Sequence, residues 1–200
     1  MSKRPWDIRL ATWFIRPLVG SSVHPNMLTT VRLAVGVAGA ALFATGTAFN
    51  LGAVCIVFSN FLDHTDGELA RMTGKTSRFG HIYDLTSDAL VTIGLFVGLG
   101  VGLQSTLGSH AIKYGLLAGL AVAGIFHLRH LIESGHGKDA ARQANIAGFE
   151  TEDVLYLLPL VTLTDQQSTF LLAGAIGAPI GFLVIVLQFL NMPKTANPGE

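Results

Sequence analysis

Residues 63–88 read DHTDGELARMTGKTSRFGHIYDLTSD and set four aspartates into a strongly apolar chain. Asp63 and Asp66 are three positions apart, and Asp84 and Asp88 are four apart. In helices, those spacings put each pair on a single face. Half of the 200 residues are hydrophobic and only 13% are charged. An ionisable group at membrane depth costs roughly 2.5–3.5 kcal/mol on insertion scales, so it persists mainly where it binds something. Four carboxylates without four basic partners need a cation. This window is the expected functional centre.

Outside it, a mean hydropathy of +0.52 is too apolar for a soluble domain of this size. Six apolar stretches stand out, at 27–46, 49–70, 82–103, 111–132, 153–164 and 168–191. Most reach the ~20 residues that cross a bilayer, and the short fifth is expected to recruit residues from Glu150 onward. Before them, residues 5–20, PWDIRLATWFIRPLVG, mix Trp6, Trp13 and Phe14 with Arg9 and Arg16. That mixture reads as an amphipathic helix lying in the membrane interface. The expected fold is thus all-α integral membrane: a six-transmembrane-helix bundle preceded by an N-terminal amphipathic interfacial helix. The chain divides into the interfacial helix at 1–22, the membrane domain at 23–192 and a short tail at 193–200. Residues 1–20 carry charges throughout, so no cleavable signal peptide is expected.

Net charge is zero, yet the charges are unevenly distributed. With six spans, Lys113 alone of the 13 basic residues falls on the side opposite the termini. The positive-inside rule then puts both termini and the aspartate window at the cytoplasmic face. The single cysteine, Cys55, excludes an intramolecular disulfide and is expected to fill core space. Gly94, Gly98 and Gly102, then Gly115, Gly119 and Ala123, then Gly177 and Gly181 form small-residue stripes that let helices approach closely.

The window can be read as chemistry. Asp63, Asp66, Gly67 and Ala70 follow i, i+3, i+4, i+7, with Arg71 at the edge of that face. Gly80, Asp84 and Asp88 follow i, i+4, i+8 on the next helix. Two antiparallel helices with a short loop would bring the faces together. Oxygen-only ligands suit Mg²⁺, Mn²⁺ or Ca²⁺ and not zinc or copper. Four carboxylates suffice for two ions with bridging ligands, an arrangement fitted to phosphoryl chemistry. Gly67, Ala70 and Gly80 keep the facing surfaces clear for a flat base or sugar. Arg71 offers a planar fork to phosphate oxygens, and Lys75, Thr76, Ser77 and Arg78 add donors at the rim.

The spacing Asp63-x2-Asp66-Gly67-x2-Ala70-Arg71-x8-Gly80-x3-Asp84-x3-Asp88 resembles, without a departure, the signature of the CDP-alcohol phosphotransferase (CDP-alcohol phosphatidyltransferase) family. Pro25-Asn26-x2-Thr29 at the head of the first span extends the resemblance. Such enzymes cut a CDP-linked donor at the pyrophosphate, pass its phospho-alcohol part to a hydroxyl and release CMP. The resemblance implies Mg²⁺ or Mn²⁺ as two divalent ions, a homodimer, and phospholipid biosynthesis in a prokaryotic inner or plasma membrane. By position, Asp63, Asp66, Asp84 and Asp88 resemble the metal ligands. Asp88 also resembles the general base on the acceptor hydroxyl, two turns deeper than Gly80 and partly desolvated. Asn26, Thr29, Gly67, Arg71 and Ser77 resemble the residues that contact the CDP donor. The implied partners are CDP-diacylglycerol, a hydroxyl acceptor and membrane lipids, with no nucleic acid. The same chemistry with a small CDP-alcohol donor and a lipid acceptor is the alternative.

Other classes fit less well. Helix caps and surface charges account for one or two acids, not four on matching faces. A cation transporter needs polar groups across both halves of the membrane, whereas spans four and six carry no acid to continue a path. His127, Arg129 and His130 read as an ordinary basic helix end, the alternative being a reach into the acceptor pocket. Arg32 pairs either with the aspartates or with substrate phosphate. On the acceptor, glycerol-phosphate users often carry a proline after the third aspartate and a lysine after the fourth, where this chain has Leu85 and Ala89. The DGELAR and TSRFG wording is closer to the inositol-phosphate members.

Overall fold

The computed structural model describes residues 12–13, 15–136 and 153–192. Every regular element among them is helical. After a 3₁₀ turn at Arg16–Leu18 come α1 (Pro25–Ala44), α2 (Phe49–Thr73), α3 (Arg78–Gly102), α4 (Gln104–Leu107), α5 (Ala111–His136), α6 (Asp153–Tyr156), α7 (Leu158–Leu163) and α8 (Gln167–Asn191).

Local sequence sets the ends of the elements that carry the aspartates. At α1, Pro25 occupies the first turn, where a missing N–H is no loss. The His24 ring accepts from the Asn26 N–H at 3.2 Å. α2 stops at Gly74, whose φ of 64° is the left-handed conformation that glycine adopts without strain. Three residues later, the Ser77 hydroxyl caps α3 by accepting from Gly80 N–H at 2.9 Å. A tight turn therefore separates the two acidic segments.

Among the described residues, four helices are long and apolar enough to cross a membrane: α1, α3, α5 and α8. The expectation of six spans is met only at this coarser level. α2 has the length, 25 residues, but Asp63, Asp66, Glu68 and Arg71 make its second half polar. The fifth stretch is broken into α6 and α7, with Pro159 opening α7. Six helical residues rise only ~9 Å, well short of a bilayer core. Of the expected interfacial helix, Trp6, Arg9 and Phe14 lie outside the described residues, as does the 193–200 tail. Trp13 is exposed and Ile15 is buried.

Helix order is governed by close approach. α1 packs along both α2 and α3, whereas α2 and α3 touch each other only slightly. The expected direct meeting of the two acidic faces is therefore replaced by a three-helix seam with α1 between them. Gly98 and Gly102 of α3 lie against the Ala40 and Phe43 carbonyls of α1, where any Cβ would collide with backbone. Gly115 and Gly119 of α5 meet Phe96 and Ile93 of α3 in the same way. In lipid, such van der Waals contact replaces a hydrophobic driving force between helices. Only Gly177 of the expected small-residue stripes faces open space. Away from the site, Phe43, Ile56, Leu95, Leu99, Leu158 and Leu171 form one buried cluster that ties α7 and α8 to the seam.

Candidate active site

Arg32 stands six residues beyond Asn26 on α1, about 1.7 turns, and is 1% exposed. Its guanidinium is the hub of the aspartate cluster. NH1 lies 2.8 Å from Asp63 Oδ1 and 2.7 Å from Asp88 Oδ1. NH2 lies 2.7 Å from Asp84 Oδ1 and donates also to the Asp84 carbonyl at 2.9 Å. Nε is 3.5 Å from Asp66 Oδ2, which in turn accepts a 2.7 Å hydrogen bond from Thr29 Oγ1. Of the two partners considered for Arg32, the aspartates are the observed ones. One guanidinium faces four carboxylates. Asp63 Oδ1 is buried and ion-paired but receives no hydrogen bond.

Asp63, Asp66 and Asp84 each present an oxygen, and these atoms all lie within 4.8 Å of one another. Three converging carboxylate oxygens fit a hard divalent ion. Asp88 sits beside Asp63 of this triad, the two sharing contact with Arg32 NH1. Its side chain is 41% exposed, so it is less shielded than its depth along α3 suggests.

Two cavities meet at the cluster. The larger, about 430 Å³, is lined by Asn26, Thr29, Gly67, Arg71 and Ser77 together with Asp66. All five residues matched to donor contacts therefore share one cavity. Ser77 has a second use there, since its oxygen caps α3. The smaller, about 270 Å³, is lined by Asp63, Asp84 and Asp88 with His81, His127 and His130. His81, Asp84 and His130 border both cavities, and the His81 and His130 rings are 4.8 Å apart. Of the basic helix end His127, Arg129 and His130, the two histidines line the smaller cavity and Arg129 does not. The helical periodicity of α5 turns both toward α3.

Glu68 is the acid that the sequence reading passed over. It lies within the same window, is 7% exposed, and holds the Arg71 fork through Nε and NH2, both at 2.9 Å from its Oε2. Thr12 Oγ1 approaches its other oxygen at 3.5 Å. The i, i+3 spacing of Glu68 and Arg71 was a visible signal for this pair.

The match to known proteins is decisive at the family level. The family model for CDP-alcohol phosphatidyltransferases matches residues 22–189. The chain belongs to that family. Among curated relatives, it is 30% identical over 166 residues to a bifunctional IPC transferase and DIPP synthase of Rubrobacter xylanophilus, covering 80% of this chain and 36% of the relative. It is 34% identical over 95 residues to a phosphatidylinositol phosphate synthase of Streptomyces avermitilis, covering 48% and 39%. The matches thus span well under half the length of these two relatives. The fold is similar to that of the Mycobacterium tuberculosis phosphatidylinositol phosphate synthase with CDP-DAG bound, with a TM-score of 0.72 at 21% identity over 96% of this chain and 99% of the other. The same enzyme in complex with manganese and citrate gives 0.66 at 20% identity, over 97% and 95%.

Proposed function

We propose that this chain is a membrane-embedded transferase of phospholipid synthesis that moves a phosphatidyl group from CDP-diacylglycerol to a hydroxyl acceptor, releasing CMP. The observation that carries the reading is the convergence of Asp63, Asp66 and Asp84 where two cavities join. Family membership and a manganese complex within the same fold support it. The aspartate triad would hold one divalent ion, Mg²⁺ or Mn²⁺, and Asp88 beside it would help to hold a second. When bound, the ions neutralise charge gathering on the pyrophosphate oxygens.

The chain's own residues do the rest. Asn26, Thr29, Gly67, Arg71 and Ser77 grip the CDP donor in the larger cavity. The acceptor enters the smaller one, where Asp88 Oδ accepts the hydroxyl proton. The new oxygen–phosphorus bond forms at the phosphorus that carries diacylglycerol. The pyrophosphate P–O bond breaks, and CMP leaves with its electron pair. Three histidines beside Asp88 suit a polar acceptor of the inositol phosphate kind, as the names of the relatives also suggest. The full assembly is a homodimer of six-span subunits in a prokaryotic inner membrane, with the site and both termini cytoplasmic.

The test is mass spectrometry of products from purified protein, CDP-diacylglycerol and a panel of inositol phosphate, inositol, glycerol phosphate and serine. A new phospholipid appearing with equimolar CMP is the expected result. Consumption of a small CDP-alcohol with diacylglycerol as acceptor, and none of CDP-diacylglycerol, would reverse the donor assignment.

A further inference from the structure

We infer that Arg32 is a built-in counter-cation that competes with the divalent ions for the aspartates and so sets how tightly the site binds metal. The inference rests on the metal-site reading above. Its warrant is the identity of the contacted carboxylates. The guanidinium touches Asp63 Oδ1, Asp84 Oδ1 and Asp88 Oδ1, and approaches Asp66 Oδ2. Three of these four carboxylates, Asp63, Asp66 and Asp84, make up the candidate metal triad. An ion drawn to them meets a fixed positive charge already among them.

The geometry makes that charge hard to avoid. Arg32 sits at 2% side-chain exposure, so water screens its field poorly. Its fork spans carboxylates from two different helices, which a compact ammonium does not match. Its placement is fixed from α1, where the backbone carbonyl of Arg32 itself accepts from Ser59 Oγ at 2.8 Å. The contacts are uneven, however. Nε has no hydrogen bond, and Asp63 Oδ1 receives none from the nearby NH1. A cavity of about 20 Å³ bordered by Arg32, Asn60, Asp63 and Asp88 leaves slack beside it. A guanidinium held this way keeps the carboxylates from repelling one another, yet yields oxygens to an ion of higher charge. Arg32 is thus a positioning residue whose effect is read in metal affinity before any turnover.

The test is calorimetric titration of purified, chelator-stripped protein with MnCl₂, at one ionic strength, comparing wild type with Arg32→Gln and Arg32→Lys. Arg32→Gln is expected to bind Mn²⁺ tighter by about tenfold or more, and to have a lower unfolding temperature in EDTA that Mn²⁺ largely restores. Arg32→Lys keeps a buried cation, folds more readily, and should fall between the two. Equal or weaker Mn²⁺ binding in whichever variant folds would overturn the inference. In ¹⁵N-arginine-labelled wild type, which no folding failure can remove, the Nη resonances of the buried Arg32 should lose their hindered rotation on adding Mg²⁺. Unchanged resonances at saturating Mg²⁺ would overturn it too. Absence of Mn²⁺ binding in every protein would bring down the metal-site reading itself, whereas equal binding removes only the role of Arg32.

Discussion

Thr29 and Arg32 hold Asp66 from one side of the cluster, and Glu68 holds Arg71 on the other. The two devices have different consequences. Thr29→Val removes a 2.7 Å hydrogen bond to a carboxylate that is only 4% exposed. A lost bond to a charged, buried acceptor costs about 1.5–3 kcal/mol, so the variant should unfold at lower temperature in EDTA. Arg71→Lys keeps the charge but loses the planar fork, and should raise the KM for donor clearly more than the KM for acceptor. Glu68→Gln should do the same more weakly, because the fork is then less firmly aimed. Equal effects on both substrates would detach Arg71 from the donor pyrophosphate. Asp88→Asn should retain Mn²⁺-dependent thermal stabilisation with CDP while product formation almost ceases. Loss of that stabilisation would make Asp88 chiefly a ligand, with the proton leaving by another route.

Among the helices, glycines decide the register of the seam. Gly98→Ala would drive a Cβ into the Ala40 carbonyl, forcing α3 away from α1 where backbone cannot yield cheaply. Overpacking of this kind costs about 1–3 kcal/mol, so the unfolding midpoint should fall by several degrees. Gly177→Ala, with nothing within 4 Å, should leave it unchanged. The aspartate pairs were legible in the sequence because helical spacing alone puts them on one face. Arg32 was not assignable, since its partnership with Asp88 joins positions 56 apart through packing that periodicity does not encode. The same limit hid α1 between the acidic helices. Glu68 escaped notice because it falls off the i, i+3, i+4 face that Asp63 and Asp66 define. The break in the fifth stretch was harder still: its apolar composition continues across Leu157 and Leu158, and only Pro159 marks the start of a new helix.

For the molecule as a whole, the proposed orientation rests on the uneven distribution of its basic residues. Cysteines introduced singly into a Cys55→Ser background should report it with a membrane-impermeant maleimide on intact cells. Position 109, between α4 and α5, should label from outside, and position 75, between α2 and α3, only after lysis. The reverse pattern would move the site to the other face. The central claim is that the aspartates at the joined cavities perform metal-dependent transfer from a CDP-linked donor. It is tested most directly by CMP release from CDP-diacylglycerol with purified protein and acceptor. EDTA should abolish release in the wild type, and Mg²⁺ or Mn²⁺ should restore it. Asp63→Asn, Asp66→Asn and Asp84→Asn, though folded, should stay below about a tenth of the wild-type rate, a loss of at least ~1.4 kcal/mol of transition-state stabilisation, at any metal concentration. Release that persists in EDTA, or survives above that level in two of the three variants, would contradict the account.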